Sequence, residues 1–597
     1  MKLCAFDVET RGNVPRFVCG AVFSDETSDY FADPDDMIAN MRWHAKRGYT
    51  FLAHNAEYDI ATLLWAHGED VSINYANGTY STASWRYGEG KRTRPIWDTT
   101  RLCAGLALRE LGESIGLPKY DMPRSLVDPD DVRQDWVCDR HIKPGCHECY
   151  VTRDAEIVWS YINAMREWLE PYGLQVTNSL ARSAIELWRK LDVNQQQSLG
   201  DPHIKQLARK AYHGGRCEPF IYGKVGRVYT ADIRSAYGAL LRSVQLPDVG
   251  KLSYYGNVLV QHFPEDGDGC VEATVQIREQ HVPPLPVTYH DRVYYPIGRC
   301  RGAWPISELR AALRHGVEII KIHRMAWTNH MVWPFQYTAG TLLELRQSLR
   351  SQSDPRELVA KFMLNAIPGR LAMQDESERA VYRRWRKGMK LDQQQGYELE
   401  SSNDALYLAQ RYTLRRPSRY ANVLWAAIIL GHARTRLHQY LRVAGQDLLY
   451  CDTDSIHSLS PLPIEGDMPG MLRDTGVYDT GVYLGSKFYS LELWDGKCEA
   501  RAKGIPRQYA NEFIKRGHVA YQTQFGVVNG ILRNVGPCVW VDVESIARFA
   551  PGTRTILEPA VLSGNAPRSA TAPVVMMMEE TDLQSMGSPS MIDSWTQ

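Results

Sequence analysis

The run YCDTDS at 450–455 places two carboxylates, Asp452 and Asp454, two residues apart within an apolar stretch. Leu448, Leu449 and Ile456 flank the run, which predicts a β-hairpin whose turn carries both acids. Buried carboxylates this close repel one another, and a cation between them removes the repulsion. Acidic oxygen ligands suit Mg²⁺, so the run indicates phosphate chemistry. An ordinary surface turn is the alternative, because Asp-Thr-Asp is common in turns.

Four acids in the N-terminal third have spacings that suit a second metal site. Asp7 and Glu9 alternate along the strand-like run FDVET, so both project from one face. Asp59 precedes an apolar, helix-like run, and Asp154 follows Tyr150 by one helical turn. Such a set could hold two metal ions for phosphodiester hydrolysis, with Tyr150 orienting the water. Each acid alone is also typical of a cap, a surface pair or a turn, but their order favours a nuclease.

The composition limits the class of protein. A chain of 597 residues predicts several domains, and its 44% hydrophobic content is enough for large cores. The net charge of zero neither demands nor excludes nucleic acid as a partner. We find no apolar stretch of about 18 residues, so no membrane span is expected. The N-terminus lacks the layout of a signal peptide, and the 12 cysteines are scattered, so we expect a cytoplasmic protein with reduced thiols.

One segment mixes basic and aromatic residues. Its basic residues are Arg379, Arg383, Arg384, Arg386, Lys387 and Lys390, with Tyr382 and Trp385 between them, followed by Arg411, Arg415, Arg416 and Arg419. This mixture suits a phosphate backbone and stacked bases. A solvated helix face is an equally good interpretation of the run taken alone.

Together, these motifs resemble those of family B DNA polymerases that carry a proofreading 3′→5′ exonuclease. The N-terminal part is similar to a DEDD exonuclease with Tyr in its third motif. The resemblance implies that the metal-binding acids are Asp7, Glu9, Asp59 and Asp154 and that Tyr150 assists catalysis. It also implies that Thr10, Asn55 and Tyr58 hold the single-stranded 3′ end. Lys119 lies where compact phage members have a catalytic lysine.

The polymerase motifs follow in family order. The run YHGG at 212–215 resembles the linking motif, so Tyr212, Gly214 and Gly215 would contact the template. The run ADIRSAY at 231–237 resembles the first polymerase motif, with Asp232 as a metal ligand and Tyr237 under the incoming sugar. Asp452 and Asp454 would complete that site. The implied contacts to the incoming nucleotide are Lys361, Asn365, Arg346 and Arg350. Lys487 and Tyr489 would steady the primer end, and Lys503 lies where a second basic contact near the thumb is expected. Each active site would use two Mg²⁺ ions, for which Mn²⁺ can substitute.

The resemblance implies a multidomain fold of the α/β and α+β classes. An RNase H-like exonuclease domain would precede a right-hand polymerase domain of palm, fingers and thumb. The expected divisions are the exonuclease at 1–180, a linker and the start of the palm at 181–230, the palm with an insertion at 231–345, the fingers at 346–432 with a basic insertion at 370–420, the palm with the catalytic hairpin at 433–504, and the thumb at 505–560. Residues 561–597 are rich in Ser, Pro, Met and Ala and are expected to be disordered.

The layout favours the compact, protein-primed phage and plasmid branch of the family. The exonuclease motif begins at Asp7, which leaves no room for the long N-terminal domain of most cellular replicative members. The expected partners are primer–template DNA, dNTPs and a terminal protein, with a monomer acting in a bacterial host and no membrane partner. Three alternatives stay open: extension of ordinary nucleic-acid primers, an exonuclease with a degenerate polymerase half, and a non-catalytic DNA-binding remnant.

The fingers motif departs from the family pattern. The usual Asn-Ser-x-Tyr-Gly reads NAIPG at 365–369, so Pro368 replaces a ring that borders the new base pair. Proline lacks an N–H and tends to end helices. We expect activity to survive, because Lys361 and Asn365 are present, with looser or differently built nucleotide selection.

A cysteine–histidine cluster precedes the third exonuclease motif. Its members, spaced C-x-x-H-x-x-x-x-C-x-x-C, are Cys138, His141, Cys146 and Cys149, with His147 as a spare ligand. Thiolates and imidazole at such spacing suit a structural Zn²⁺ that would brace the following helix. A loop with incidental cysteines is the alternative.

Overall fold

The computed structural model describes residues 1–88, 92–103, 105–128, 136–138, 140–193, 198–289, 292–351, 354, 356–374, 376–385, 396–402, 404–415, 420–546, 554–556 and 569–577. No helix within these residues is both long and apolar enough to cross a membrane.

The N-terminal part alternates strands and helices. Its strands are β1 (Leu3–Arg11), β2 (Arg16–Ser24), β3 (Ser28–Phe31), β4 (Thr50–Ala53), β5 (Asp70–Ala76), β6 (Thr79–Arg86) and β7 (Thr93–Asp98). Its helices are α1 (Pro34–Lys46), α2 (Ala56–Asp59), α3 (Leu108–Ser114), α4 (Arg124–Val127), α5 (His147–Leu169), α6 (Leu180–Leu191) and α7 (Pro202–Ala211). The helix α2 continues into a π-helical turn at Ile60–Trp65.

The next part is mostly strands. They are β8 (Cys217–Pro219), β9 (Ile221–Val225), β10 (Val228–Ile233), β11 (Leu246–Pro247), β12 (Ser253–Gly256), β13 (Asp268–Ile277), β14 (Val287–Tyr289), β15 (Arg292–Tyr294), β16 (Ile297–Pro305), β17 (Val317–Thr328) and β18 (Met331–Val332). Two short helices lie among them, α8 (Ala236–Ser243) and α9 (Ile306–Leu313).

Three long helices and three strands follow, and the C-terminal part is again mostly strands. The middle elements are α10 (Gln336–Ser351), α11 (Arg356–Leu371), β19 (Glu376–Arg384), β20 (Tyr397–Ser402), β21 (Ala405–Arg415) and α12 (Val423–Ala444). The C-terminal elements are β22 (Leu448–Asp452), β23 (Ser455–Ser458), β24 (Leu472–Tyr478), β25 (Thr480–Gly485), β26 (Phe488–Glu492), β27 (Cys498–Ala502), α13 (Arg507–Arg516), β28 (His518–Gln524), α14 (Val527–Leu532), β29 (Trp540–Ile546), β30 (Arg554–Ile556), β31 (Ser569–Pro573) and β32 (Val575–Met577).

The strand β1 lies inside a mixed, ten-stranded sheet, antiparallel to β2 and parallel to β4. Its alternating residues face two different cores. Leu3 and Ala5 pack with α5, whereas Phe6 and Val8 pack with α1 and the π-helical turn on the other side. Since side chains alternate along a strand, Asp7 and Glu9 lie on the same face as Ala5 and face α5.

The C-terminal half is built on a five-stranded sheet with the order β24-β10-β23-β22-β8. The helix α12 packs behind it, and most of its side chains are buried. Asn422 caps α12, because its side chain accepts a hydrogen bond from the Trp425 backbone N–H at 3.1 Å. One apolar cluster runs from α5 through α6 and α11 to α12, so the two halves share a core.

The helix α11 does not end at Pro368, as proline usually would. It continues to Leu371, and Pro368 is buried within it. The missing N–H costs one hydrogen bond, and the packing of both ends of the helix holds the last turn in place.

The basic–aromatic segment forms strands rather than a helix face. The strand β19 pairs with β5, so β19, β21 and β20 extend the ten-stranded sheet beyond β5. Several of its arginines have protein partners: Arg383 pairs with Asp70 at 2.7 Å, Arg411 donates to the Tyr382 hydroxyl at 2.7 Å, and Arg384 donates to a backbone carbonyl. Arg386, Lys387, Lys390, Arg416 and Arg419 lie outside the described residues.

The expected disorder after residue 561 is wrong for 569–577. The strand β31 pairs with β9, and β32 pairs in parallel with β16. Both strands add to an existing sheet at its edge, where the backbone of the neighbouring strand supplies hydrogen-bond partners. The amino-acid composition of the segment does not indicate such pairing. Residues 561–568 and 578–597 lie outside the described part of the chain.

Candidate active sites

The first candidate site lies between β1 and α5. One carboxylate oxygen each from Asp7, Glu9 and Asp154 all lie within 4.8 Å of one another. Asp7 and Glu9 share a face of β1, and the helical turn from Tyr150 to Asp154 directs both side chains toward that face. Three of the four acids singled out in the sequence thus lie together, and they come from two elements.

Asp59 lies beside this cluster rather than within it. Its side chain is 2% exposed, and its Oδ1 accepts a hydrogen bond from the Val8 backbone N–H at 3.2 Å. Burial raises the pKa of Asp59 well above its usual value. The carboxylate is thus held next to β1, facing the strand that carries Asp7 and Glu9.

The acids of this site raise one another's pKa values. Burial, then the charges of Asp154, Asp59 and Glu9, raise the pKa of Asp7 well above its usual value. Burial and the charge of Asp154 raise the pKa of Glu9 to about 7. Burial raises the pKa of Asp154 to about 6, although Lys119 opposes the shift. Closely spaced acids in this state bind divalent cations readily, because a cation removes their repulsion.

Lys119 touches the cluster from a loop. Its ammonium group forms an ion pair with Asp154 Oδ2 and lies 4.4 Å from the centre of the Tyr150 ring. Asp154 Oδ1 is buried and accepts no hydrogen bond from the described residues. A buried carboxylate oxygen without a hydrogen bond is costly in a purely structural role, and a metal ion would satisfy it.

The residues expected to hold a DNA 3′ end lie at the rim of the site. The hydroxyl groups of Thr10 and Tyr58 hydrogen-bond to each other. Asn55 adopts φ 66°, and its backbone N–H donates to Asp98 Oδ1 at 3.0 Å. Asp98 therefore fixes the turn that presents Asn55 and Tyr58, a role that no sequence motif indicated.

The second candidate site lies on the five-stranded sheet. Ser455 on β23 is in register with Asp232 on β10 and with Asp452 on β22. Directly opposed residues of antiparallel strands point to the same face, so these two carboxylates project together. Asp454 occupies the predicted turn, where its N–H donates to the Asp452 carbonyl at 2.7 Å and its own carbonyl accepts from the Ile233 N–H at 2.8 Å.

Two cations partner these acids. Arg473 on β24 donates to both oxygens of Asp232, at 2.7 and 3.0 Å. Lys487 Nζ lies 3.4 Å from Asp452 Oδ2. Burial, then the charges of Asp232 and Asp452, raise the pKa of Asp454 to about 6. Within the described residues, the carboxylate oxygens of Asp232, Asp452 and Asp454 do not all lie within 4.8 Å of one another. This wider spacing agrees with the separate basic partners of Asp232 and Asp452.

The helices α10 and α11 bring basic groups toward this site. The charge of Lys361 opposes the rise in the pKa of Asp454, which places the ammonium group near the acids. Arg346 donates to Glu357 Oε1 at 2.6 Å and to the Ser235 hydroxyl at 2.5 Å. Ser235 directly precedes α8, so Arg346 faces the motif that carries Asp232.

The other residues expected to contact the nucleotide vary in exposure. Asn365 and Arg350 are exposed. Tyr237 is half-buried, and burial, followed by the charge of Asp454, raises the pKa of its hydroxyl to about 12. The Tyr237 hydroxyl is therefore close enough to the turn at 452–454 to be affected by the charge of Asp454.

The linking motif touches the catalytic turn directly. A Cβ atom on Gly215 would lie 2.9 Å from Thr453 Oγ1, so no side chain fits there without displacing the turn. The Thr453 N–H donates to the Arg216 carbonyl at 2.7 Å. Tyr212 is half-buried and Gly214 is exposed.

A buried arginine, Arg434, stabilises the YHGG motif at 212–215. Arg434 on α12 donates to the carbonyls of His213 and Gly214 and pairs with Glu308 at 2.6 Å. The side chains of Arg434 and Glu308 are 1% and 2% exposed. Sequence reasoning missed Arg434 and Arg473, since neither has a partner at a recognisable spacing.

The residues expected to contact the primer end and the DNA near the thumb differ in their exposure. Lys487 and Lys503 are exposed and lie close together, because the Lys503 N–H donates to the Lys487 carbonyl at 3.1 Å. Tyr489 is 8% exposed, its ring lies 5.0 Å from that of Tyr450, and its hydroxyl donates to Glu499 at 3.4 Å. Tyr489 thus supports the strand below Lys487 rather than facing solvent.

Known proteins share both the polymerase sequence pattern and the fold. Residues 172–420 match the family model of DNA polymerase type B, organellar and viral. A search of curated protein sequences finds no match. The structure is similar to phi29 DNA polymerase complexed with primer-template DNA and incoming nucleotide substrates, with TM-score 0.67, 15% identity, and coverage of 92% of this chain and 99% of that chain. It is also similar to an orthorhombic crystal form of that polymerase (TM-score 0.67, 16% identity, 92% and 100% coverage) and to its complex with single-stranded DNA (TM-score 0.65, 15% identity, 92% and 100% coverage).

The fold is that of phi29 DNA polymerase, which confirms the arrangement of an RNase H-like domain followed by palm, fingers and thumb that the sequence motifs predict. The family match over residues 172–420 agrees with the family B resemblance of the same motifs.

Proposed function

We propose that this protein extends a primer 3′-hydroxyl along a DNA template and removes nucleotides in the 3′→5′ direction at a separate site. One observation carries the proposal. Asp232 and Asp452 project from one face of the sheet with Asp454 in the turn beside them, while Asp7, Glu9 and Asp154 form a second cluster on another sheet. Two acidic sites on one chain suit synthesis and proofreading.

Divalent cations fit both sites. Asp232, Asp452 and Asp454 would hold Mg²⁺ or Mn²⁺ in the polymerase site, and Asp7, Glu9 and Asp154, with Asp59 beside them, would do so in the exonuclease site. Such ions activate the attacking oxygen and neutralise charge on the leaving group. The raised pKa values and the orphaned Asp154 oxygen support this assignment, because both are relieved by a cation.

In synthesis, the chain's own residues position the reactants. Lys361 and Arg346 would bind the nucleotide phosphates, joined by Arg350 from the exposed face of α10. Tyr237 would lie under the sugar, where its ring excludes a 2′-hydroxyl, and Asn365 would face the base. Arg473 must release Asp232 before that carboxylate can serve as a ligand, since its guanidinium occupies both oxygens.

In degradation, a water molecule would attack the terminal phosphodiester. Tyr150 would orient that water, and Lys119, already paired with Asp154, would stabilise the charge that develops on the phosphate. Thr10, Asn55 and Tyr58 would hold the unpaired 3′ end. At the polymerase site, Lys487 and Lys503 would hold the paired primer end, and Tyr212, Gly214 and Gly215 the template.

We propose priming on a terminal protein, in the replication of a phage or plasmid genome in a bacterial cytoplasm. The fold covers 99% of the phi29 polymerase chain, and the matching family model is viral and organellar, which supports the branch expected from the sequence. Protein priming is tested by incubating the polymerase with the product of a neighbouring gene and one labelled dNTP. Label bound covalently to that protein is the expected result, and incorporation on nucleic-acid primers alone contradicts protein priming.

A template-directed assay tests the polymerase function itself. A 5′-labelled primer on templates that differ at one position is incubated with Mg²⁺ and single dNTPs. We expect extension only with the complementary dNTP, and shortening of the primer when dNTPs are omitted. Extension independent of the template, or no extension on any primer, contradicts the proposal.

A further inference from the structure

The cysteine–histidine cluster before α5 has the geometry of a metal site. Ligand atoms of Cys138, His141, Cys146 and Cys149 all lie within 4.8 Å of one another. His141 Nδ1 lies 3.3 Å from Cys146 Sγ and 3.5 Å from Cys149 Sγ. Four ligands around tetrahedral Zn²⁺ are separated by roughly 3.3–3.8 Å, given metal–ligand bonds of about 2.0–2.3 Å. The cluster needs little rearrangement to reach that spacing.

The surroundings of the ligands also fit a metal site. The backbone N–H of His141 donates a hydrogen bond to Cys138 Sγ at 3.3 Å. Such a bond would stabilise a thiolate at Cys138. His141 Nε2 lies 3.7 Å from Glu148 Oε1, so a carboxylate faces the ring nitrogen opposite the sulfurs. Such outer carboxylates orient metal-binding imidazoles. His147, the spare candidate, has Nε2 2.8 Å from the Ser125 hydroxyl and does not join the four.

The cluster connects the start of α5 with the loop that carries Lys119. Cys146 caps α5 and Cys149 lies in its first turn, directly before Tyr150. On the other side, the Gly145 N–H donates to the Trp136 carbonyl at 2.8 Å, and the Trp136 ring stacks on Tyr120 at 4.5 Å between centroids. Tyr120 follows Lys119. The same short loop therefore supports both members of the Lys119–Asp154 ion pair.

We propose that Cys138, His141, Cys146 and Cys149 bind one structural Zn²⁺ that fixes the start of α5 and the Lys119 loop. The site is separate from the acids of both active sites. Its effect on degradation rests on the exonuclease activity proposed above, whereas zinc binding does not.

Zinc content tests the site directly. Protein purified without chelators is assayed for zinc per chain, as wild type and as Cys146→Ser, Cys149→Ser and Cys498→Ser. Cys498 is exposed on β27 and serves as the matched control. We expect one zinc per chain in wild type and Cys498→Ser, and almost none in the two cluster variants. Absence of zinc from wild type, or equal zinc in all four proteins, overturns the proposal.

A measurement on wild type avoids variants that fail to fold. X-ray absorption at the zinc edge should show sulfur neighbours at about 2.3 Å and one nitrogen neighbour. A shell of oxygen and nitrogen alone overturns the assignment, since it places the zinc on carboxylates or on the surface.

The coupling to degradation is tested with the same proteins. Cys149→Ser should degrade single-stranded DNA roughly tenfold more slowly, while primer extension stays within about twofold of wild type. Equal losses of both activities, or no loss of degradation, contradict the coupling. If wild type itself degrades no DNA, the proposed function fails, and the zinc content still decides the metal site.

Discussion

Arg473 and Asp232 face each other across two neighbouring strands and form an ion pair through both oxygens of the carboxylate. The strands β24 and β10 set them directly opposite in register, and the two contacts are 2.7 and 3.0 Å. The side chains are 31% and 29% exposed, so solvent weakens the pair without removing it. In this state a guanidinium occupies the oxygens that Mg²⁺ would use.

Arg473→Gln should therefore lower the Mg²⁺ concentration that gives half-maximal primer extension. A partly exposed ion pair contributes about 0.5–1 kcal/mol, which corresponds to roughly a two- to fivefold shift in that Mg²⁺ concentration. The measurement is a Mg²⁺ titration of the extension rate, with Arg516→Gln as control, since Arg516 is an exposed arginine on α13 that pairs with Glu512. A higher Mg²⁺ requirement in Arg473→Gln would show that the arginine assists metal binding instead.

Gly215→Ala should slow extension by about tenfold or more and leave degradation of single-stranded DNA unchanged. The added Cβ would meet Thr453 Oγ1 at 2.9 Å and so displace the turn that carries Asp454. A misplacement of about 1 Å at a reacting centre can cost roughly a hundredfold in rate. Gly226→Ala is the control, because a Cβ there meets nothing within 4 Å.

A second change checks the cause of that loss. Thr453→Gly removes the side chain that the new Cβ would meet, so the double variant with Gly215→Ala should regain part of the extension rate. Thr453 has φ 61°, a conformation that glycine adopts easily. A double variant slower than Gly215→Ala alone would contradict the steric explanation.

Glu308→Gln should lower the free energy of unfolding by about 3 kcal/mol, because it leaves Arg434 buried without its counter-charge. Denaturant unfolding measures the loss. The double variant Arg434→Met with Glu308→Leu should lose less than the sum of the two single changes, since neither charge then stays buried. Strictly additive losses would show that the two side chains do not stabilise each other.

The two activities should differ in their pH dependence at subsaturating Mg²⁺. Glu9 must be ionised to bind the cation, and its pKa is raised to about 7. Asp454 has the corresponding role in extension, with its pKa raised to about 6. As the pH rises, extension should therefore reach its plateau before degradation does. Coincident profiles would contradict this assignment.

The raised pKa of Glu9 also has a consequence for the metal-free protein. The folded state binds the Glu9 proton more tightly than the unfolded state, whose pKa is near 4.5. Stability from this group is thus present below pH 4.5 and is lost as the pH rises toward about 7. In EDTA, the difference in unfolding free energy between wild type and Glu9→Gln should fall across that window. A difference that grows with pH would contradict the sign.

Local patterns predicted the parts of both sites that lie on single elements. The apolar run broken by Asp-Thr-Asp at 452–454 predicted the hairpin, and the spacing of Tyr150 and Asp154 predicted a shared helix face. These predictions succeed because strand and helix periods fix side-chain direction over a few residues.

Contacts between distant segments could not be predicted in this way. The pairing of β19 with β5 joins residues about 300 positions apart, and β31 pairs with β9 across a similar distance. Neither pairing leaves a local signature, because a sheet edge accepts any strand of suitable length. The same holds for Arg434 and Arg473, whose partners come from other elements.

The most direct test of two separate active sites is a crossover between two variants. Extension and degradation of one labelled primer are measured for wild type, Asp454→Asn and Asp7→Ala under the same conditions. We predict that Asp454→Asn loses extension and keeps degradation, and that Asp7→Ala loses degradation and keeps extension. Loss of both activities in either variant would contradict the account, because it would mean that the two acid clusters do not act independently.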